Sequence, residues 1–176
     1  MKPIAVVGIS ILSVLFFSCT TLLNTLFPPL QPPLLPESTI KNSSVENYKY
    51  IYISPTKSLT SSAGYVDGGA SYGVYGATQS KSVNPSDVIS GILIKKGFIR
   101  LPELKEELND KTLIVNYGES GKRDTGLGGY TIEVTIQFVS GKSSELVSSC
   151  TAEGQGQTEA DDIRQAITRC ITALYP

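Results

Sequence analysis

Apolar and polar side chains alternate most clearly between residues 130 and 139. The apolar positions are Tyr130, Ile132, Val134, Ile136 and Phe138, and the polar positions between them are Thr131, Glu133, Thr135 and Gln137. A period of two indicates a β-strand with one face in a core and the other in contact with water. The sequence therefore predicts a sheet that has one covered face and one wet face.

Shorter runs rich in aromatic and β-branched residues predict further strands. These runs cover residues 48–54, 98–101, 113–117 and 144–152. In the last run, alternate residues share one face of the strand, and these are Leu146, Ser148, Cys150 and Ala152.

Two segments carry the signals of helices. Asn84 followed by Pro85 is typical of a helix N-terminus, and Gly97 is typical of a C-terminus. Thr158, with Asp161 three residues later, indicates a second N-terminus. Each helix has an apolar stripe, made of Val88, Ile89, Ile92 and Leu93 in the first and of Ile163, Ile167, Cys170 and Leu174 in the second. The elements predict an α+β fold, with a mostly antiparallel sheet and two main helices packed on one of its faces.

Cys150 and Cys170 are predicted to form a disulfide. Cys150 lies on the core face of its strand, and Cys170 lies on the stripe of the helix that has to cover that face. In an oxidising compartment such a bridge contributes about 3 kcal/mol. The alternative is a pair of buried free thiols. No metal site and no cofactor are predicted, because these are the only two thiols besides Cys19 and the chain has no histidine.

The N-terminus has the features of a targeting signal. Residues 4–17 are apolar, which is short of the roughly 20 residues that a spanning helix needs. Residues 16–19, with sequence FFSC, resemble a bacterial lipobox. This resemblance implies that residues 1–18 are a lipoprotein signal peptide and that Cys19 is lipidated. An ordinary secretory signal cut near Ser18 and an uncleaved anchor are the alternatives.

Residues 19–46 are predicted to be a tether between the lipidated cysteine and the domain. Five prolines fall within nine positions, namely Pro28, Pro29, Pro32, Pro33 and Pro36. Proline removes backbone donors and favours an extended conformation, so the segment is predicted to act as a semi-rigid spacer. Residues 47–176 then form a single α+β domain.

Composition excludes several functions. The chain has 15 basic and 16 acidic residues, with no basic run, so nucleic acid is not a predicted partner. The absence of histidine removes the commonest general base and the usual partner of a serine or cysteine nucleophile. We therefore predict no catalytic residues and a non-enzymatic role.

Two segments contain candidate binding residues. Lys122 and Arg123, in the glycine-flanked residues 118–129, could bind a carboxylate, a phosphate or a glycan. The alternative is a solvated hairpin loop. Glu119 and Asp124 in the same segment are the candidates for a carboxylate-dependent enzyme that acts on envelope polysaccharide.

The second segment, residues 58–83, is rich in glycine and contains Tyr65, Tyr72 and Tyr75. These tyrosines could stack on a sugar or a peptide, or present an edge to a protein partner. A flexible loop is one alternative. Another is a membrane-inserting hairpin, residues 60–78, of an oligomeric secretion or pore assembly.

The order of these elements, with the sequences KKGF, LIVNY and GQGQTEADDIRQAI, resembles small periplasmic lipoproteins of Gram-negative, Bacteroidetes-like bacteria. The pattern over residues 47–175 is similar to that of the curli-secretion lipoprotein, the TolB N-terminal domain and the lipoprotein activators of penicillin-binding proteins. This resemblance implies a non-enzymatic envelope role with a protein partner. Because Thr20 has no acidic neighbour, we expect a lipid anchor on the periplasmic side of the outer membrane.

Overall fold

The structure is a computed structural model that describes residues 33–67, 75–126 and 129–176. Its strands are β1 (Ser38–Lys41), β2 (Tyr50–Ile53), β3 (Leu59–Asp67), β4 (Tyr75–Val83), β5 (Ile99–Arg100), β6 (Thr112–Gly126), β7 (Gly129–Ser140) and β8 (Leu146–Gly154). The α-helices in these residues are α1 (Pro85–Lys95) and α2 (Glu159–Leu174). Two short 3-10 helices cover Val45–Asn47 and Glu106–Lys111.

Six strands form one mixed sheet in the order β1-β8-β7-β6-β2-β5. In the first part of this order, the pairs β1–β8, β8–β7 and β7–β6 are antiparallel. Strand β2 is parallel to both of its neighbours, β6 and β5. The predicted α+β fold is confirmed, although the sheet is mixed. The parallel part arises because α1 lies between β2 and β5 in the chain, and a crossover of this kind returns the chain in the same direction.

The alternation in β7 produces the predicted covered face. The side chains of Ile132, Val134, Ile136 and Phe138 are all fully buried. Tyr130 differs from the prediction, since it remains 39% exposed. It lies at the far end of the β6–β7 hairpin, where the Lys122 ammonium sits 4.9 Å from the centre of its ring.

Both predicted helix starts are present. The Asn84 side chain accepts a hydrogen bond from the Ser86 backbone amide, and Thr158 accepts one from the Asp161 amide. Gly97 follows α1 with a φ of 95°, the left-handed conformation that favours glycine after a helix. Among the described residues, neither helix is long and apolar enough to cross a membrane.

The predicted disulfide is present. Cys150 on β8 is bonded to Cys170 on α2, and their Cα atoms are 5.5 Å apart. Cys150 pairs in register with Ile136 of β7, so the bridge lies on the covered face of the sheet. The bridge therefore fixes α2 to that face.

Strand β1 lies inside the segment that the sequence predicts as tether. It pairs with β8, and the compact unit runs from Leu34 to Pro176, so the folded part begins before the predicted boundary at residue 47. The four residues of β1 contain no proline, so their backbone groups can pair with β8. Because β1 is an edge strand, only one of its sides pairs with another strand.

Strand β6 also extends further than predicted, through most of the proposed loop at residues 118–129. Its register with β7 shifts at Glu119/Gly121 and again at Asp124/Gly126. Such bulges allow a strand to continue through glycine-rich sequence, which periodicity alone does not show.

Candidate functional site

The face of the sheet opposite the helices carries a continuous polar surface. Register places the side chains of Asn116 and Gln137, and those of Thr135 and Thr151, on this side. Ser120 joins them through a contact of 3.1 Å between its hydroxyl and that of Thr135. We call these five residues the open face.

Hydroxyl and amide groups dominate the open face. The Thr135 hydroxyl also lies 2.8 Å from that of Thr151, so hydrogen bonds run across three strands. Asn116 accepts a hydrogen bond of 2.7 Å from the Ser54 hydroxyl. Gln137 and Ser120 are exposed, and the other three are partly buried. Because each hydroxyl can donate or accept, this surface can bond to the polar groups of a partner. The half-buried Glu133 adds one carboxylate beside Thr135 on the same face of β7.

The buried carboxylate of Glu153 binds the first residues of the domain to the sheet. Glu153 on β8 is 3% exposed, and its carboxylate accepts hydrogen bonds of 2.8 and 2.7 Å from the Arg123 guanidinium. It also accepts one of 2.9 Å from the Leu35 backbone amide and one of 3.3 Å from the Thr131 hydroxyl. The bond from Arg123 is the largest cause that lowers the pKa of Glu153 to about 2.

Arg169 on α2 completes this arrangement from the helix side. Its guanidinium donates to the Glu37 carboxylate at 2.7 Å, to the Leu35 carbonyl at 2.8 Å and to the Glu153 carbonyl at 2.7 Å. We call Leu35, Glu37, Arg123, Glu153 and Arg169 the anchor junction. It fixes the chain that arrives from the side of Cys19 to both the sheet and α2. Cys19 itself lies outside the described residues.

The structure does not bring Lys122 and Arg123 together in one anion site. They are adjacent on β6, so their side chains point to opposite faces of the sheet. Arg123 belongs to the anchor junction. Lys122 lies 3.3 Å from the Glu159 carboxylate at the start of α2 and contacts the Tyr130 ring.

Strands β3 and β4 form a separate two-stranded ribbon with nine paired positions, from Leu59↔Val83 to Asp67↔Tyr75. Tyr65 and Tyr75 lie on opposite arms, whereas Tyr72 lies outside the described residues. A tyrosine stacking surface therefore stays a prediction. The base of the ribbon is joined to α2 by hydrogen bonds of 2.8 and 3.0 Å from Lys81 to Asp161, and by one of 2.9 Å from the Ala160 amide to the Ser61 hydroxyl.

Glu119 and Asp124 are far apart along β6. Their register partners on β7, Val134 and Tyr130, are four residues apart, which corresponds to about 13 Å of strand. The paired carboxyl groups of most glycoside hydrolases are about 5 to 9.5 Å apart. Glu119 accepts a hydrogen bond of 3.1 Å from the Tyr117 hydroxyl, and Asp124 accepts one of 2.7 Å from the Gly126 amide. The backbone thus gives no support to a glycosidase pair.

Within the described residues, no group of three or more histidine, cysteine, aspartate or glutamate side chains is arranged to hold a metal ion. The two cysteines of this part of the chain are joined to each other.

No protein-family model and no curated protein matches the chain. The solved structures similar to this chain include two of PelC dodecamers from Paraburkholderia phytofirmans. A PelC variant in space group C2 is 14% identical with a TM-score of 0.42, and PelC in space group P6 is 13% identical with a TM-score of 0.40. Each alignment covers 78% of this chain and 92% of the other. The similarity is distant. It gives no basis for transferring assembly or function to this chain.

Sequence reasoning did not identify Glu37, Glu153 and Arg169. Glu153 follows the predicted strand by one residue, and nothing local shows that it is buried. Its partners Leu35 and Arg123 lie 118 and 30 residues away, so only the strand order brings them together.

Proposed function

We propose that the chain is a membrane-anchored envelope lipoprotein whose α+β domain acts as a protein-binding adaptor and catalyses no reaction. The observation that carries this proposal is the open face. It lies on the same sheet as a fully buried core face, yet its centre consists of uncharged polar side chains that have hydrogen-bonding capacity left over.

The margins of this surface favour a protein partner. Ile40 on β1 is 51% exposed and is in register with Ser149, on the side of the open face. Ile99 on β5, at the other edge of the sheet, is 45% exposed. A six-stranded sheet is about 24 Å wide. A sheet face of this width offers the area that one protein partner usually covers, about 800 Å², and is larger than a small ligand needs.

The anchor junction supports a role for the lipid in orienting the domain. Cys19 precedes Leu35 by 16 residues, which would span about 50 Å in a polyproline II conformation. Because Arg169 and Glu153 bind Leu35, an acylated Cys19 would limit the distance between Leu35 and the bilayer. The disulfide between Cys150 and Cys170 is typical of an oxidising compartment and so supports the envelope. We place the anchor on the periplasmic side of the outer membrane.

The test is affinity capture from cross-linked native envelopes, followed by mass spectrometry. Four forms are compared: the unmodified chain, Cys19→Ser, Gln137→Arg on the open face, and Gln157→Arg as a matched control on an exposed residue elsewhere. We expect one protein to be recovered with the unmodified chain and with Gln157→Arg, and to be lost with the other two. Equal recovery with Gln137→Arg would show that the open face is not the binding surface.

The ribbon favours a second candidate, a subunit of an oligomeric secretion or pore assembly. Each arm has nine residues, which reaches the roughly 9 to 11 that a membrane-spanning strand needs. A two-stranded ribbon is marginally stable alone, and among the described residues no third strand pairs with it. Pairing with ribbons of other copies would supply the missing neighbours.

Deletion of residues 60–78 separates the two candidates. If the chain is an assembly subunit, the full-length form will give detergent-stable oligomers in size-exclusion chromatography with light scattering, and the deletion will abolish them. If it is an adaptor, both forms will have the same oligomeric state and will capture the same partner.

A further inference from the structure

A cleft of about 670 Å³ is lined by residues that belong neither to the open face nor to the anchor junction. It lies where the ends of three elements meet. Lys41 at the end of β1 and residues between 43 and 48 line one side, and residues 96–98, which follow α1, line another. Ser148 of β8, the end of α2 and the residues after it complete the wall. Pockets that bind small molecules usually measure about 300 to 1,000 Å³, so this cleft has a suitable size.

Apolar rings and chains form the inner part of the cleft. The ring of Tyr175 packs edge-on against Phe98, with centroids 6.0 Å apart, and against Phe138, with centroids 5.5 Å apart. Leu174 and Val45 also line the wall. The apolar part of a ligand placed here would contact aromatic and aliphatic side chains, and its surface would be removed from water.

Gly97 keeps this part of the wall open. The amide of Phe98 bonds to the Leu93 carbonyl, and the Gly97 amide bonds to the Ile94 carbonyl, so the left-handed φ of Gly97 turns the chain at the end of α1. A side chain at Gly97 would meet no atom within 4 Å, but its φ of 95° favours glycine. The turn therefore brings Phe98 to Tyr175 without filling the cleft.

Two basic side chains and one acidic side chain line the described part of the cleft. Lys41 and Lys96 line the cleft, and Glu46 is the acidic side chain among its described lining residues. Lys96 donates a hydrogen bond to the Tyr175 carbonyl, which offsets the negative end of α2. The Lys41 side chain is exposed, and its ammonium group has no hydrogen bond or ion pair with other described residues, so its charge is available to a ligand.

We propose that this cleft binds an amphiphilic anion, that is, an apolar chain or ring that carries one carboxylate or phosphate group. The apolar part lies against Phe98, Tyr175 and Leu174. The anionic group lies at the rim beside Lys41, with Lys96 as the second cation. This site is separate from the surface that the adaptor function uses.

The test is isothermal titration calorimetry on the full chain carrying Cys19→Ser, with ligands below their micellar concentrations. Octyl phosphate and octanoate are compared with octanol, octyltrimethylammonium and inorganic phosphate. We expect the two amphiphilic anions to bind at least tenfold more tightly than any of the other three. Equal binding of octanol, or of inorganic phosphate, would overturn the proposal.

Three variants test which charged side chains affect the binding of octyl phosphate. Lys41→Gln is expected to weaken octyl phosphate binding about threefold, as for an exposed ion pair. Glu46→Gln is expected to strengthen it, because the opposing carboxylate is gone. Lys57→Gln, an exposed lysine outside the cleft, should leave it unchanged. All three positions are exposed, so the melting temperature should stay constant. Identical affinities for Lys41→Gln and Lys57→Gln would contradict the site.

Two further readouts locate the ligand and its source. In amide NMR spectra, octyl phosphate should shift Gly97, Phe98 and Leu174, and shifts confined to other regions would overturn the assignment. Flotation with phosphatidylglycerol vesicles, against phosphatidylcholine vesicles, distinguishes a membrane lipid from a free amphiphile. Retention that depends on Lys41 and on phosphatidylglycerol identifies the lipid, whereas binding of octyl phosphate without such retention identifies the free molecule.

Discussion

The two faces of β7 have the same backbone and opposite roles. On one face, Ile136 and Phe138 are fully buried beneath the helices, and the disulfide on neighbouring β8 fixes α2 above them. On the other face, Thr135 and Gln137 keep contact with solvent. The difference shows that stability and recognition are separated by the side of the sheet, so substitutions on adjacent residues should have unrelated effects.

The largest loss of stability is expected from Phe138→Ala. Phe138 is fully buried and its ring packs against Tyr175, so truncation should lower the free energy of unfolding by about 3 to 5 kcal/mol. Gln137→Ala, one residue away, should change it by no more than about 0.5 kcal/mol. Urea denaturation measures both. Similar losses would mean that the two faces do not differ as described.

Removal of the disulfide should have the next largest effect. Replacing both Cys150 and Cys170 by alanine opens a bridge between residues 20 apart and should cost about 3 kcal/mol. Thermal unfolding of this variant, and of the unmodified protein with and without reductant, measures the loss. If Cys150 and Cys170 are alkylated when the protein is unfolded without reductant, the bridge is absent.

Glu153→Gln tests the anchor junction and should lower the free energy of unfolding by about 2 to 3 kcal/mol. The substitution removes the charge that Arg123 and the Leu35 amide hold, and the cost is reduced because the Arg123 side chain is 33% exposed. Glu159→Gln, in the more exposed pair with Lys122, should cost less than about 1 kcal/mol. Limited proteolysis should cut the chain near Leu35 faster in Glu153→Gln only.

Acid should weaken the same junction. The pKa of Glu153 falls from 4.5 to about 2 in the folded protein, so its carboxylate stabilises the fold above pH 4.5. This contribution should disappear as the pH falls from about 4.5 to about 2. The free energy of unfolding, measured at several pH values across this range, should depend less on pH in Glu153→Gln than in the unmodified protein. A pH dependence equal to that of the unmodified protein would show that another group is responsible.

The smallest effect on stability is expected on the open face. Gln137→Arg should change the free energy of unfolding by no more than about 0.5 kcal/mol, because the side chain is exposed. Thr135→Val removes hydroxyl contacts to Ser120 and Thr151 and should cost slightly more. Denaturation curves measured beside the capture experiment will show whether loss of the partner occurs without loss of the fold.

The sequence predicted those features that depend on local patterns. The period of two in β7, the capping residues Asn84 and Thr158, and the apolar stripe of α2 are all visible within a few residues. Cys150 and Cys170 could be paired because each lies on the predicted core face of its element.

Features that depend on distant pairing could not be predicted. Strand β1 lies in sequence dominated by proline, and its formation depends on the free edge of β8. The parallel pairing of β2 with β6 depends on the path of the intervening chain. The bonds that hold Glu153 come from residues on three other segments, so only the folded sheet shows that this glutamate is buried.

The most direct test of the central claim is site-specific photo-cross-linking in native envelopes. A photoreactive amino acid is placed at Gln137 on the open face, and separately at Lys105, an exposed residue outside it. We predict that Gln137 gives a discrete adduct with one envelope protein and that Lys105 gives none. No adduct at Gln137, or the same adducts at both positions, would contradict the assignment of the open face as a binding surface.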